Sequence, residues 1–180
     1  MWDDLIAAIG ARAAADATRT MADVATGRIR PRLTERQLED SIAALGFAPH
    51  PLYAAVLRHV GNGGFGPGYG LLGLAGGAPN EDGSTAVDLY ATFRPDDPAD
   101  GWTGWPDRLL PICNWGCAIH SCVDCSTERG SVWLWEPNAY EGGRPATSAI
   151  FGGEMSLEDW FRAWVSGADL WSLSFSGSDA

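Results

Sequence analysis

The sequence predicts an α+β fold: a single antiparallel twisted sheet flanked by N-terminal helices and a C-terminal helix. Three observations carry this. Apolar residues recur at helical spacing through the first sixty positions, and again only after residue 156. Short apolar runs of strand length, separated by turn residues, fill residues 109–151. Helices grouped before and after hairpin-connected strands, rather than alternating with them, select α+β over a parallel α/β sheet.

Residues 3–26 are alanine-rich and predict a helix, but Leu5, Ile9, Ala13, Met21 and Val24 make only a thin apolar stripe. Residues 1–30 therefore read as an N-terminal helical extension, loosely packed on a domain of residues 31–180 or standing apart from it. Ile29-Arg30-Pro31-Arg32 is a connector, because proline disfavours helix at the residue before it. Thr34-Glu35-Arg36-Gln37 fits a capping box, Leu38, Ile42 and Leu45 follow at helical spacing, and Gly46 stops the helix. Ala48-Pro49-His50-Pro51 makes a short turn, with Pro51 suited to the first turn of the next helix, whose stripe is Leu52, Val56 and Val60.

Six of the ten residues 61–70 are glycine. Glycine loses the most backbone freedom on ordering, so this segment is neither helix nor good strand. It is a loop that needs positive φ or close backbone approach, and Gly61, Asn62, Gly63, Gly64 and Gly66 are its structural residues. A phosphate-binding loop requires a lysine and a strand-to-helix order. Here all twelve basic residues are arginine and the order is helix, glycines, strand. Leu71-Leu72-Gly73-Leu74 is the short strand that follows. Residues 76–83 form a surface loop, residues 86–93 fit a strand or a short helix, and residues 94–101 form a second, acidic loop.

Residues 109–114 read as strand, Asn114-Trp115-Gly116 as a tight turn and residues 117–125 as the return strand. Residues 132–136 form a third strand with Trp133 and Trp135 on one face. After a loop at 137–148 comes a short strand at 149–151. Ser156 then caps a closing helix with an apolar face of Leu157, Trp160, Phe161 and Trp164.

Charge is divided unevenly. Residues 1–60 hold seven acids and seven arginines; residues 61–180 hold sixteen acids and five arginines, which is the entire net charge of −11. Such a surface repels nucleic acid and anionic membrane and attracts a basic partner. It also serves plain solubility. No run of eighteen apolar residues predicts a membrane span. Acid precedes the first apolar residues where a secretory leader would carry base, so the expected compartment is cytoplasmic.

Cys113, Cys117, Cys122 and Cys125 fall within thirteen residues, with His120 among them. That makes a zinc site an alternative. Against it, three residues of strand put Cys122 and Cys125 on opposite faces, so buried thiols and no cofactor are expected. Cys122, His120 and Asp124 share a strand face, but neighbours on one face lie about 7 Å apart, too far for direct hydrogen bonding. No catalytic residues are assigned. Trp102 and Trp105 flank Thr103-Gly104 beside the acidic loop and are either recognition residues or cover for the sheet edge.

Gly46-Phe47, Pro51-Leu52-Tyr53, Asn62-Gly63-Gly64-Phe65-Gly66 and Leu71-Leu72-Gly73 resemble the N-terminal half of the SUKH superfamily. Leu109-Leu110-Pro111-Ile112-Cys113-Asn114-Trp115-Gly116-Cys117, Val123-Asp124, Gly130-Ser131-Val132 and Ser156-Leu157-Glu158-Asp159-Trp160 are similar to its later strands and terminal helix. The resemblance spans about residues 34–171; it is carried by the ordered set of these segments. It implies a non-catalytic protein-binding domain. Such a domain is an immunity protein that occludes a basic toxin, often a nuclease, or a regulatory scaffold like the fungal members. The expected contacts, chosen by composition, are Glu81, Asp82, Asp96, Asp97, Asp100, Trp102 and Trp105.

Overall fold

The computed structural model describes residues 2–17, 28–94 and 103–175. The predicted contacts Asp96, Asp97, Asp100 and Trp102, and the second half of the first predicted helix, lie outside the described residues.

Three helices open the chain: α1 (Asp3–Ala17), α2 (Glu35–Leu45) and α3 (Pro51–His59). The helix α4 (Ala86–Phe93) separates the two-residue strand β1 (Gly70–Leu71) from β2 (Leu109–Gly116), β3 (Ile119–Asp124), β4 (Ser131–Trp135) and β5 (Ile150–Ser156). Two helices close it, α5 (Leu157–Ser166) and α6 (Leu170–Phe175). The sheet is an antiparallel meander in the order β1-β2-β3-β4-β5. The fold class is the expected α+β.

Local chemistry sets the helix ends. Thr34 and Gln37 make the reciprocal capping box, and Gly46 ends α2 in the left-handed region at φ 79°. Pro51 occupies the first turn of α3 behind His50, whose ring nitrogen accepts from the Leu52 amide. Thr85 and Asp88 form a second capping box, which settles residues 86–93 as helix. Ser156 caps α5, which buries Leu157, Trp160, Phe161 and Trp164. Each large side chain so buried contributes about 1.5–3 kcal/mol.

The first helix does not stand apart. Leu5, Ile9 and Ala13 are buried in the main core, and α1 packs on α3 and α5. A thin stripe suffices because Ala13 and Gly10 let neighbouring side chains come close; Val60 lies 3.7 Å from where a Gly10 Cβ would stand.

The turn between β2 and β3 falls two residues later than the sequence suggests. Asn114-Trp115-Gly116 stays in the strand, and Cys117 and Ala118 make the turn at φ 52° and 61°. Two consecutive left-handed residues match the right-handed twist of the strands they join. The cost of that conformation for non-glycine residues hides the turn from sequence. The helix α6 was also not expected.

The glycine loop is a backbone junction. Gly63 and Gly64 sit at φ 83° and 85°. The connector runs against them: the Arg30 amide donates to Gly63 O, and the Asn62 amide to Pro31 O. A Cβ on Gly63 would stand 2.7 Å from Leu71 O, and one on Gly64 would collide with Arg28 O. Asn62, 1% exposed, ties the parts together. Its side-chain oxygen accepts from the Leu74 amide and its NH₂ donates to Ala75 O.

Candidate functional site

Glu81 and Asp82 are exposed, in the loop before α4. Asn80 shapes that loop by accepting from the amides of Asp82 and Ser84. Glu81 is anchored at its tip, where Oε2 accepts from the side-chain NH₂ of buried Asn114 on β2. Asn114 is fixed in turn, because its oxygen accepts from the Gly116 amide.

Opposite Asn114 in the sheet lies His120, 1% exposed. Its Nδ1 donates to Ala118 O at 2.9 Å, since a carbonyl can only accept, and Nε2 has no hydrogen-bond partner. Burial lowers its pKa to about 4, against the opposing effects of the Ala118 carbonyl and the charges of Glu81 and Asp82. The ring is neutral at pH 7 and packs edge-on to Phe93.

Trp105 is a core residue and offers no surface. It is 7% exposed, donates through Nε1 to Leu109 O at 2.9 Å, and packs against Trp135 and Phe93 at ring separations of 5.3 and 4.7 Å. Of the described candidate contacts, Glu81 and Asp82 remain on the surface.

The structure instead brings three other aromatics to the surface. Tyr69 is 48% and Trp171 is 39% exposed, and Trp115 is half-buried. The arrangement is reciprocal. The Trp115 ring lies on Gly68, where a Cβ would stand 2.7 Å from it, and the Tyr69 ring lies on Gly116, where a Cβ would stand 2.5 Å from it. The Trp115 indole donates to Ser121 Oγ at 2.8 Å, which fixes the ring, and Trp171 of α6 packs against it at 5.5 Å. The sequence signal was aromatics set directly beside glycines; joining them needed α6 and the β1–β2 pairing.

The four cysteines do not share one environment. Cys117 is exposed in the β2–β3 turn, Cys113 and Cys122 are buried, and Cys125 is half-buried. Cys113 donates to Pro67 O, Cys122 to His120 O and Cys125 to Val123 O. Burial raises the pKa of all three, that of Cys125 to about 12. Among the described residues no group of three or more His, Cys, Asp or Glu is placed to hold a metal ion. Nor do the side chains of Cys122, His120 and Asp124 form a hydrogen-bonded chain: Asp124 accepts from Ser126, Cys122 donates to the backbone carbonyl of His120, and the His120 ring bonds Ala118 O alone.

Among the described residues no helix is long and apolar enough to cross a membrane. No protein-family model, no curated protein and no solved structure matches this chain.

Proposed function

We propose that this chain is a non-catalytic protein-binding domain that neutralises a basic toxin domain by covering its working surface. The observation that carries the reading is the exposed Tyr69–Trp115–Trp171 surface. Rings held flat by glycines and a hydrogen-bonded indole are rigid before a partner arrives, so they lose little side-chain freedom on docking. Tyrosine and tryptophan dominate the energetic centres of protein interfaces. The net charge of −11 supplies long-range attraction toward a basic partner, and Glu81 extends it to the residue next to Trp115. The resemblance to SUKH immunity proteins supports the toxin as that partner.

The test is binding kinetics against the product of the adjacent gene. Trp171→Ala and Tyr69→Ala should each speed dissociation by about thirtyfold or more, the effect of losing roughly 2 kcal/mol at an interface centre. A Glu81→Lys/Asp82→Lys double variant should slow association and weaken its salt dependence. Unchanged dissociation in both aromatic variants would remove this surface from the interface.

A further inference from the structure

A concavity of about 380 Å³ opens at the far end of the sheet from the Cys117–Ala118 turn. That volume is at the low end for small-ligand sites, about 300–1,000 Å³. Its walls are apolar: Leu109, Ile150, Pro106 and the indole of Trp133. The ring lies across β5 on Gly153, a contact that any Cβ there would prevent. Two carboxylates also line the space. Asp124 Oδ1 accepts from the amide and hydroxyl of Ser126, and no ion pair engages the carboxylate among the described residues. Asp107 Oδ1 accepts from the Tyr90 hydroxyl, while Oδ2 lies 3.8 Å from the Arg108 guanidinium. Arg108, in the strained left-handed region at φ 59°, is held there by the Tyr90 hydroxyl and the Cys125 amide.

The geometry points to a site for one arginine side chain of a polypeptide partner. An apolar trough takes the methylene stem, a tryptophan face takes the planar cation, and Asp124 presents a carboxylate with its second oxygen open. A guanidinium stacks on indole and pairs with a carboxylate through two parallel hydrogen bonds; a lysine ammonium does neither as well. A neutral ligand would leave Asp124 uncompensated, and an anion would meet that carboxylate, since Arg108 already pairs with Asp107, in a chain of net charge −11. This site does not rest on the aromatic surface described above and is built from different residues.

The test is a titration of the full chain with acetyl-arginine methylamide, followed by the indole and backbone amide resonances of Trp133 and Ser126. Lysine and citrulline derivatives of the same form are the comparisons. One side chain should bind with a dissociation constant on the order of millimolar. Saturable shifts at Trp133 and Ser126, about tenfold weaker affinity for uncharged citrulline and an intermediate value for lysine are expected. Asp124→Asn, which keeps an oxygen for Ser126, should bring arginine down to the citrulline level. Equal binding of arginine and citrulline, or arginine shifts confined to the Glu81–Asp82 loop, would overturn the site. The ligand comparison needs no variant, so it stands even if Asp124→Asn fails to fold. Tyr69→Ala should leave the titration unchanged, so failure here is separable from failure of the docking surface.

Discussion

Replacing Gly46 and Gly64 by alanine in parallel separates two costs that a glycine usually hides together. Both residues adopt the left-handed region, at φ 79° and 85°. Their surroundings differ. A Cβ on Gly46 meets nothing within 4 Å, whereas one on Gly64 collides with Arg28 O. Left-handed backbone costs a non-glycine residue about 1–2 kcal/mol, and reduced freedom of the unfolded chain returns about 0.4–1. Gly46→Ala should therefore lose about 1 kcal/mol. Gly64→Ala must in addition push the connector away, which breaks the 3.0 Å bond from the Arg30 amide to Gly63 O and strains that from Asn62 to Pro31 O. At about 1 kcal/mol per bond, the total is about 3 kcal/mol. Urea unfolding of the two variants measures the difference. For a chain of this size 1 kcal/mol moves the melting temperature by about 2–4 °C, so Gly64→Ala should melt about 6–12 °C lower. If Gly64→Ala costs no more than Gly46→Ala, the connector does not press on the loop, and the glycines are there for their φ angles alone.

Protonation gives a second expectation. The His120 pKa is lowered to about 4 by burial, so the unfolded chain, with an ordinary value near 6.5, takes up the proton first on acidification. The full stability is present above about pH 6.5 and falls through the window down to pH 4, by about 3 kcal/mol from this residue. Urea midpoints of the wild type and His120→Asn should therefore converge as pH falls across that window, and a constant difference would mean that burial does not shift the titration of the ring. Trp105→Ala should cost about 3–5 kcal/mol, as a buried aromatic does; a loss below 1 kcal/mol in thermal unfolding would return it to the surface. A thiol reagent should modify Cys117 rapidly in the native protein, half-buried Cys125 more slowly, and Cys113 and Cys122 only in denaturant. Mass mapping of a fast reaction at Cys113 or Cys122 would contradict their burial.

The parts of the fold legible in the sequence are those decided within a few residues. Thr34 with Gln37, Pro51 at a helix start, Gly46 at a helix end and Ser156 before an apolar face each act over one turn, and each takes the place its sequence predicts. The errors fall where distant segments decide. The first helix looked weak by its own stripe, yet α3 and α5 give Leu5 and Ile9 something to bury against. The β2–β3 turn was misplaced because Gly116 is the better turn residue by propensity. The sheet uses it instead to let the Tyr69 ring lie flat, and leaves the left-handed positions to Cys117 and Ala118.

The same reasoning explains the surface. Composition marked Trp105 by its neighbours in sequence, but a tryptophan's exposure is set by what folds over it, and here Phe93 and Trp135 cover it. Tyr69, Trp115 and Trp171 come from three separate elements, β1's approach, β2 and α6. Tyr69 reaches Gly116 because β1 pairs with β2, and Trp171 reaches Trp115 because α6 returns to it. What sequence did carry was the glycine beside each ring on the first two of these. Gly68 and Gly116 lie in the left-handed region, at φ 56° and 84°, but φ alone does not account for them, since Cys117 and Ala118 tolerate the same region without being glycine. Each glycine is also the floor for an aromatic ring on the neighbouring segment. A core ring can be held by side chains on all sides, though buried His50 also rests on Gly130. A ring at the surface has one face open to water, and its other face finds contacts on bare backbone. Glycine paired with a half-exposed aromatic across a strand is thus a physical sign of a ring seated on the surface by backbone contact.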